Sequence, residues 1–292
     1  MREDNVTIKG LWIGKELSPN ELLSIQSYLY HGHQFELFVY DDIKYIPLGV
    51  TIKDANKIIH ESEIFTFSSG HHKNNLSTFS NLFRYKLLYD QGGWWSDLDA
   101  ICVKPYDFKQ NYVIIQEKRR DLISGTIANG VIKCPASAPL IEYCYEKACQ
   151  LTEKSENLKW GETGPALLAE AVRRFSLEEY VVPPNFFVPI GFRNIPELFT
   201  TIQIPNETYS IHLFNEGWRM QNISKNGIYP KKSVYETIKK RYDVKNNYLK
   251  LIPEFIGDLR DNGIKLGTNV IKSKLWYMLQ AFKKKYARVE RL

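Results

Sequence analysis

Two apolar segments and the helix signal between them restrict the fold before any chemistry is considered. Thr7 to Ile13 (TIKGLWI) reads as a buried strand. Ser18 then stands as an N-cap with Pro19 at the first helical position, and Phe35 to Tyr40 (FELFVY) is a second strand that Asp41-Asp42 ends. A strand, a crossover helix and a second strand imply an α/β sheet with parallel pairing. A hydrophobic fraction of 43% and an aromatic fraction of 13% over 292 residues supply a sizeable core and exclude wholesale disorder.

Ser77 to Tyr89 predicts the next helix. Phe79, Leu82, Phe83 and Leu87 form its core stripe, while Asn81 and Arg84 share another face. Gln91-Gly-Gly93 ends it, because glycine is favoured where a chain turns out of a helix. Trp94 to Val103 reads as one strand. Its period of two sends Asp97 and Asp99 to one side and Leu98 to the other. By the same alternation one of Trp94 and Trp95 is core and the other, assigned to Trp95, faces a ligand. Tyr112 to Gln116 reads as a strand, and Ala138 to Thr152 and Pro165 to Phe175 read as helices.

The D-x-D pair carries the chemistry. Two carboxylates on one side of a strand end suit a hard divalent cation, and the cation can neutralise a diphosphate leaving group. An isolated D-x-D is equally well a solvated strand edge. Here Arg84, two glycines and two tryptophans precede it in the run RYKLLYDQGGWWSDLD.

That run resembles the D-x-D sugar-binding region of glycosyltransferases. The family pattern is a helix with S-D-x-x-R-Y, then G-G, an aromatic and D-x-D. It stands here as Ser80-Asn81, Arg84-Tyr85, Gly92-Gly93, Trp95 and Asp97-Leu98-Asp99. Capsular-polysaccharide-type transferases are nearest, with mannosyltransferases, α-1,4-transferases and glucosylating toxins more distant. Gly10 to Gly14 resembles the family's first strand, and His31-Gly-His33 with Phe38 to Tyr40 its second. Thr163-Gly-Pro165 resembles its T-G-P turn, and Ile211 to Arg219 its late H-x-x-x-x-x-W element. The resemblance spans roughly residues 7–240.

It implies a GT-A (Rossmann-like) domain over residues 1–243 with a mainly parallel sheet. It also implies a nucleoside-diphosphate sugar donor, UDP-linked, and a divalent cation, Mn2+ or Mg2+. Carried over, Asp99 is the main metal ligand, and Asp97 touches ribose, donor sugar or metal. Arg84 holds a donor-sugar hydroxyl or nearby phosphate. Trp12 stacks beside the base, Trp95 lines the nucleotide pocket, and Asn129 faces the site. His212 is either a core histidine or the third metal ligand. The family usually has Asp at position 81. Asn81 can still bind a hydroxyl but carries no charge, which bears on donor choice and activity. Asn129-Gly130 is otherwise a turn, and Thr163 a helix cap. His31, His33, His71 and His72 read as loop residues.

The expected reaction is retaining transfer of a hexose to a polysaccharide or lipid-linked glycan, as in capsular polysaccharide synthesis. The alternatives are a nucleotide-sugar- or glycan-binding protein with weak chemistry, and a D-x-D phosphatase with Asp97 as nucleophile. The phosphatase motif normally lies near the N-terminus with Thr or Val where Ile101 stands. Nucleic acid is not an expected partner, and the oligomeric state is not specified.

The four cysteines show neither C-x-x-C nor zinc spacing, so they are expected to be packed thiols. No apolar leader and no run of 18 apolar residues occurs, from which a cytoplasmic protein, soluble or peripheral on the membrane, is expected. From Lys231 the pattern is helical and basic, and residues 244–292 are expected to form a helical extension. Within it Ile271 to Val289 sets Ile271, Leu275, Met278, Leu279, Phe282, Tyr286 and Val289 on one stripe. Lys272, Lys283, Lys284, Lys285 and Arg288 flank it. Such a helix docks on its own domain or lies on anionic lipid, and a net charge of +6 suits the latter and a polyanionic ligand.

Overall fold

Strand β1 (Thr7–Trp12) is buried at Ile8, Lys9 and Gly10, so both faces are covered, as in parallel sheets. The computed structural model that shows this describes residues 6–66, 75–117, 126–153 and 161–245. Helix α1 (Pro19–Tyr30) follows, opened by Pro19 and by Glu21 accepting from the Ser18 N–H at 2.8 Å. The chain then forms β2 (Gln34–Val39), β3 (Val50–Asp54), α2 (Ser77–Gln91), β4 (Gly93–Ser96), β5 (Ala100–Cys102), β6 (Val113–Glu117) and β7 (Thr126–Cys134). After α3 (Pro139–Glu153) come α4 (Leu167–Arg174), β8 (Val181–Val182), α5 (Pro184–Phe187), β9 (Ser210–His212), α6 (Asn215–Met220) and α7 (Val234–Arg241).

Among the described residues, seven strands form one sheet in the order β3-β2-β1-β4-β7-β6-β8. The β1–β2, β2–β3, β1–β4 and β6–β8 pairs are parallel, while β7 is antiparallel to both β4 and β6. Only β7 therefore runs against the rest, which is the mainly parallel α/β architecture expected. Alternation places Phe35, Leu37, Trp94 and Val131 in the core layer under α1. Phe38, Trp95, Ile114 and Ile132 lie in the opposite layer, with side chains of α2, α3 and α4.

The chain passes from β1 outward to β2 and β3, then returns to lay β4 on the other side of β1. That reversal makes the C-terminal ends of β1 and β4 a topological switch point, where open α/β sheets hold ligands. Trp12 ends β1, and Asp97 follows β4.

Several boundaries differ from expectation. Trp94 to Val103 is not one strand. After Ser96 the chain leaves the sheet, turns through Asp97-Leu98-Asp99 with Ala100 N–H donating to Asp97 O (3.2 Å), and pairs β5 with β9 in a separate antiparallel ladder. Asn129-Gly130 is not a turn but the middle of β7. Thr163 caps no helix, since Gly161 (φ 85°) precedes a wide turn over Glu162–Ala166 and α4 begins at Leu167. Strand β3 went unforeseen because it is an edge strand whose Thr51 and Ile52 are exposed.

Gly92 ends α2 at φ +59°, and an added Cβ would lie 2.3 Å from the Ala136 nitrogen. Glycine is therefore required there sterically as well as conformationally. Cys102, Cys134 and Cys144 are buried free thiols, as expected. Among the described residues no helix is long and apolar enough to cross a membrane. Residues 246–292, including the expected helix Ile271 to Val289, lie outside the described residues, as do His71 and His72.

Candidate active site

Asp97 reaches the C-terminal edge of the sheet because its N–H still donates to Gly130 O (2.7 Å) on β7, after which the turn begins. Leu98 drops into the core at 6% exposure, and both flanking carboxylates face the same side. The expected disposition is reached through a turn rather than through strand alternation. His212, the last residue of β9, pairs in register with Ala100, so the β5–β9 ladder sets it beside Asp99.

One ligand atom from each of Asp97, Asp99 and His212 lies within 4.8 Å of the others. His212 Nε2 is 3.1 Å from Asp99 Oδ1, and Asp99 Oδ2 accepts the Asn215 N–H at 2.7 Å. Asp97 Oδ1 accepts from Arg84 (2.6 Å) and from Trp95 Nε1 (2.9 Å), which leaves Oδ2 for the cluster. Gly130 backs it closely. A Cβ at that position would lie 2.9 Å from His212 Cε1 and 3.3 Å from Asp97 Oδ2.

Charges in the cluster are interdependent. Burial disfavours the Asp99 carboxylate, but His212, by charge and hydrogen bond, and the Asn215 N–H outweigh it and hold Asp99 down to about 2. Burial raises Asp97, and the neighbouring Asp99 charge adds to this against the opposing pull of Arg84. Burial works against a charged His212. Asp99 and Asp97, with Glu117 at the end of β6 adding its charge, nevertheless bring its proton affinity above the ordinary imidazole value.

Two carboxylate oxygens and one imidazole nitrogen are a donor set for a divalent cation of the manganese or magnesium type. The room kept by Gly130 fits that use.

Arg84 is 3% exposed. It donates to Asn129 O, to Asp97 and to Ser80 Oγ (3.3 Å), and its guanidinium lies 5.1 Å from the Trp95 ring centroid. Its two Nη atoms are thus held by Asn129, Asp97 and Ser80, and it meets the site through Asp97. Trp95 is 1% exposed and holds Asp97 through its Nε1. Trp94 is equally core, on the other face, because a central strand covered on both sides buries both of its tryptophans. Trp12 is half-buried at the end of β1 and packs onto the α1-side core.

Asn81 and Asn129 are joined, Asn129 Nδ2 donating to Asn81 Oδ1 (2.8 Å) and Asn81 Nδ2 to Thr163 Oγ1 (3.0 Å). Gly164 presses on both amides, since a Cβ there would lie 2.8 Å from Asn129 Nδ2 and 2.9 Å from Asn81 Nδ2. The T-G-P turn is therefore part of this wall. His33 is a buried structural histidine whose Nε2 accepts the Tyr106 N–H (3.0 Å). Sequence reasoning missed Gly130 and Asn215. Gly130 was visible as a glycine beside a candidate site residue, whereas nothing in the sequence marks Asn215 as a backbone donor to Asp99.

Residues 18–120 match the family described as "Glycosyltransferase sugar-binding region containing DXD motif". The resemblance to D-x-D glycosyltransferases holds over that span. It takes in α1 through β6 with the D-x-D turn and stops short of Asn129, Thr163 and His212. Solved structures also match, among them "PaToxG Glycosyltransferase", 15% identical, with 82% of this chain and 86% of that chain covered at a TM-score of 0.46. No curated protein sequence matches.

Proposed function

We propose that this protein is a cation-dependent glycosyltransferase that moves a hexose from a nucleoside-diphosphate sugar, with retention, to a polysaccharide or lipid-linked glycan. The observation that carries the reading is the convergence of Asp97, Asp99 and His212 at the switch point, with the two aspartates inside the region that matches D-x-D transferases and His212 brought to them from β9. When bound, the divalent cation would neutralise charge on the diphosphate leaving group. Asp97 offers Oδ2, Asp99 offers Oδ1, and a neutral His212 offers Nε2. Arg84 and Trp95 keep Asp97 from turning away. The Asn81–Asn129 wall stands beside this cluster and supplies neutral amides for sugar hydroxyls. The half-buried Trp12 at the end of β1 is the ring available to a base. Retention, the UDP-linked donor, the capsular or lipid-linked acceptor and a cytoplasmic site of action at an anionic membrane follow from the family resemblance and the basic C-terminal sequence.

The test is a panel of nucleotide sugars, read by release of the nucleoside diphosphate with and without Mn2+. One donor is expected to be hydrolysed in a Mn2+-dependent way, and Asp99→Ala is expected to abolish that release. Unchanged release by the variant with Mn2+ present would overturn the assignment. Donor binding without any hydrolysis would favour a nucleotide-sugar-binding protein instead.

A further inference from the structure

Glu21 is 0% exposed, yet it is a carboxylate far more committed than a helix start needs. Its Oε2 accepts the Ser18 N–H at 2.8 Å, which is the whole of a capping role. Its Oε1 accepts from Asn215 Nδ2 (2.7 Å) and from Lys225 Nζ (2.6 Å). Beside it Asn20, also buried, donates to Asn215 Oδ1 (2.8 Å) and accepts from Tyr235 Oη (2.7 Å). Both ends of the Asn215 amide are thereby held by the first turn of α1.

The same residue's backbone N–H occupies Asp99 Oδ2, and Leu213 N–H donates to Asp99 O at 2.8 Å. Between them Phe214 is left-handed (φ 58°, ψ 66°), and its ring centroid lies 4.1 Å from that of His212. Residues 212–215 therefore grip Asp99 from backbone and side chain, in a conformation that a non-glycine residue adopts only under constraint.

We propose that Glu21, with Asn20 and Lys225, is a positioning residue for the cation site. It locks the Asn215 side chain, so that the Asn215 N–H takes up Asp99 Oδ2 and leaves Oδ1 directed at His212 Nε2. The inference rests on the reading of Asp97, Asp99 and His212 as a cation site.

The test is Mn2+ titration by calorimetry on the full chain, without donor, at a temperature where near-ultraviolet circular dichroism reports a native fold. Glu21→Gln keeps the shape but loses the charge, and Lys225→Met removes the partner from the loop side. Each is expected to weaken Mn2+ binding about tenfold, the scale for groups that orient metal ligands. Lys225→Arg is expected to recover most of the affinity. A merely structural role would lower the unfolding temperature and leave the affinity of the folded protein unchanged. Wild-type affinity in the folded variants would overturn the proposal, and should Glu21→Gln fail to fold, Lys225→Met decides alone. Absence from the wild type of any Mn2+ binding that Asp99→Ala removes overturns the cation reading first and this one with it.

Discussion

Each acidic residue of the D-x-D turn has one oxygen held from outside the cluster and one directed into it. Arg84 and Trp95 take Asp97 Oδ1, and the Asn215 N–H takes Asp99 Oδ2. Held carboxylates lose little freedom when they bind, which is the physical case for a prepared site. Gly130 is the residue whose change tests that geometry most simply. Gly130→Ala sets a methyl 2.9 Å from His212 Cε1, so the imidazole must move. Calorimetry is expected to show Mn2+ binding weakened by at least about tenfold while the urea midpoint shifts little. Equal affinity in the variant would mean that His212 is not held where the cation needs it. Sequence pattern identified Asp97 and Asp99 as a carboxylate pair, and the family resemblance added His212 as a candidate third ligand. It did not show that Arg84 and Trp95 both hold Asp97 Oδ1, because an arginine facing a ligand and one facing a carboxylate read alike in one dimension.

Elements carry the second group of effects. The turn from α1 into β2 packs His33 against Tyr106, with the ring accepting a backbone N–H and hence neutral. Burial, aided by the nearby His31, depresses His33 to about 4, against an unfolded value near 6.5. Below about pH 6.5 the unfolded chain takes up a proton that the folded one refuses, so stability falls with pH until about pH 4. The loss approaches about 3 kcal/mol at full effect. Urea unfolding between pH 7 and pH 4 is expected to show it, and His33→Gln, which keeps an acceptor, is expected to lose part of that pH dependence. An identical pH dependence in the variant would remove His33 as a cause. Among the elements themselves, β1, α1, β2, α2 and α3 were legible because caps and apolar periodicity are local signals. The break after Ser96 was not, because β5 leaves the sheet for a partner, β9, more than a hundred positions along the chain.

At the scale of the molecule, the described residues end at Lys245, just after Tyr242 and Val244 join the core under α1. A chain ending at Lys245 is expected to unfold in one cooperative transition and to bind Mn2+ as the full chain does. Loss of binding would assign part of the site to residues 246–292. What the sequence alone determined is the α/β class with its parallel opening, the helix that ends at Gly92, and the carboxylate pair that follows. These depend on neighbours a few residues apart, where periodicity, capping and glycine geometry act directly. Tertiary structure alone decided that β7 runs against the sheet and sets Gly130 against His212 and Asp97. It also decided that Trp95 holds Asp97 and that Glu21 meets Lys225 across 204 residues. Those contacts arise when separate elements are buried together, and burial is a property of the packed core rather than of any stretch of chain.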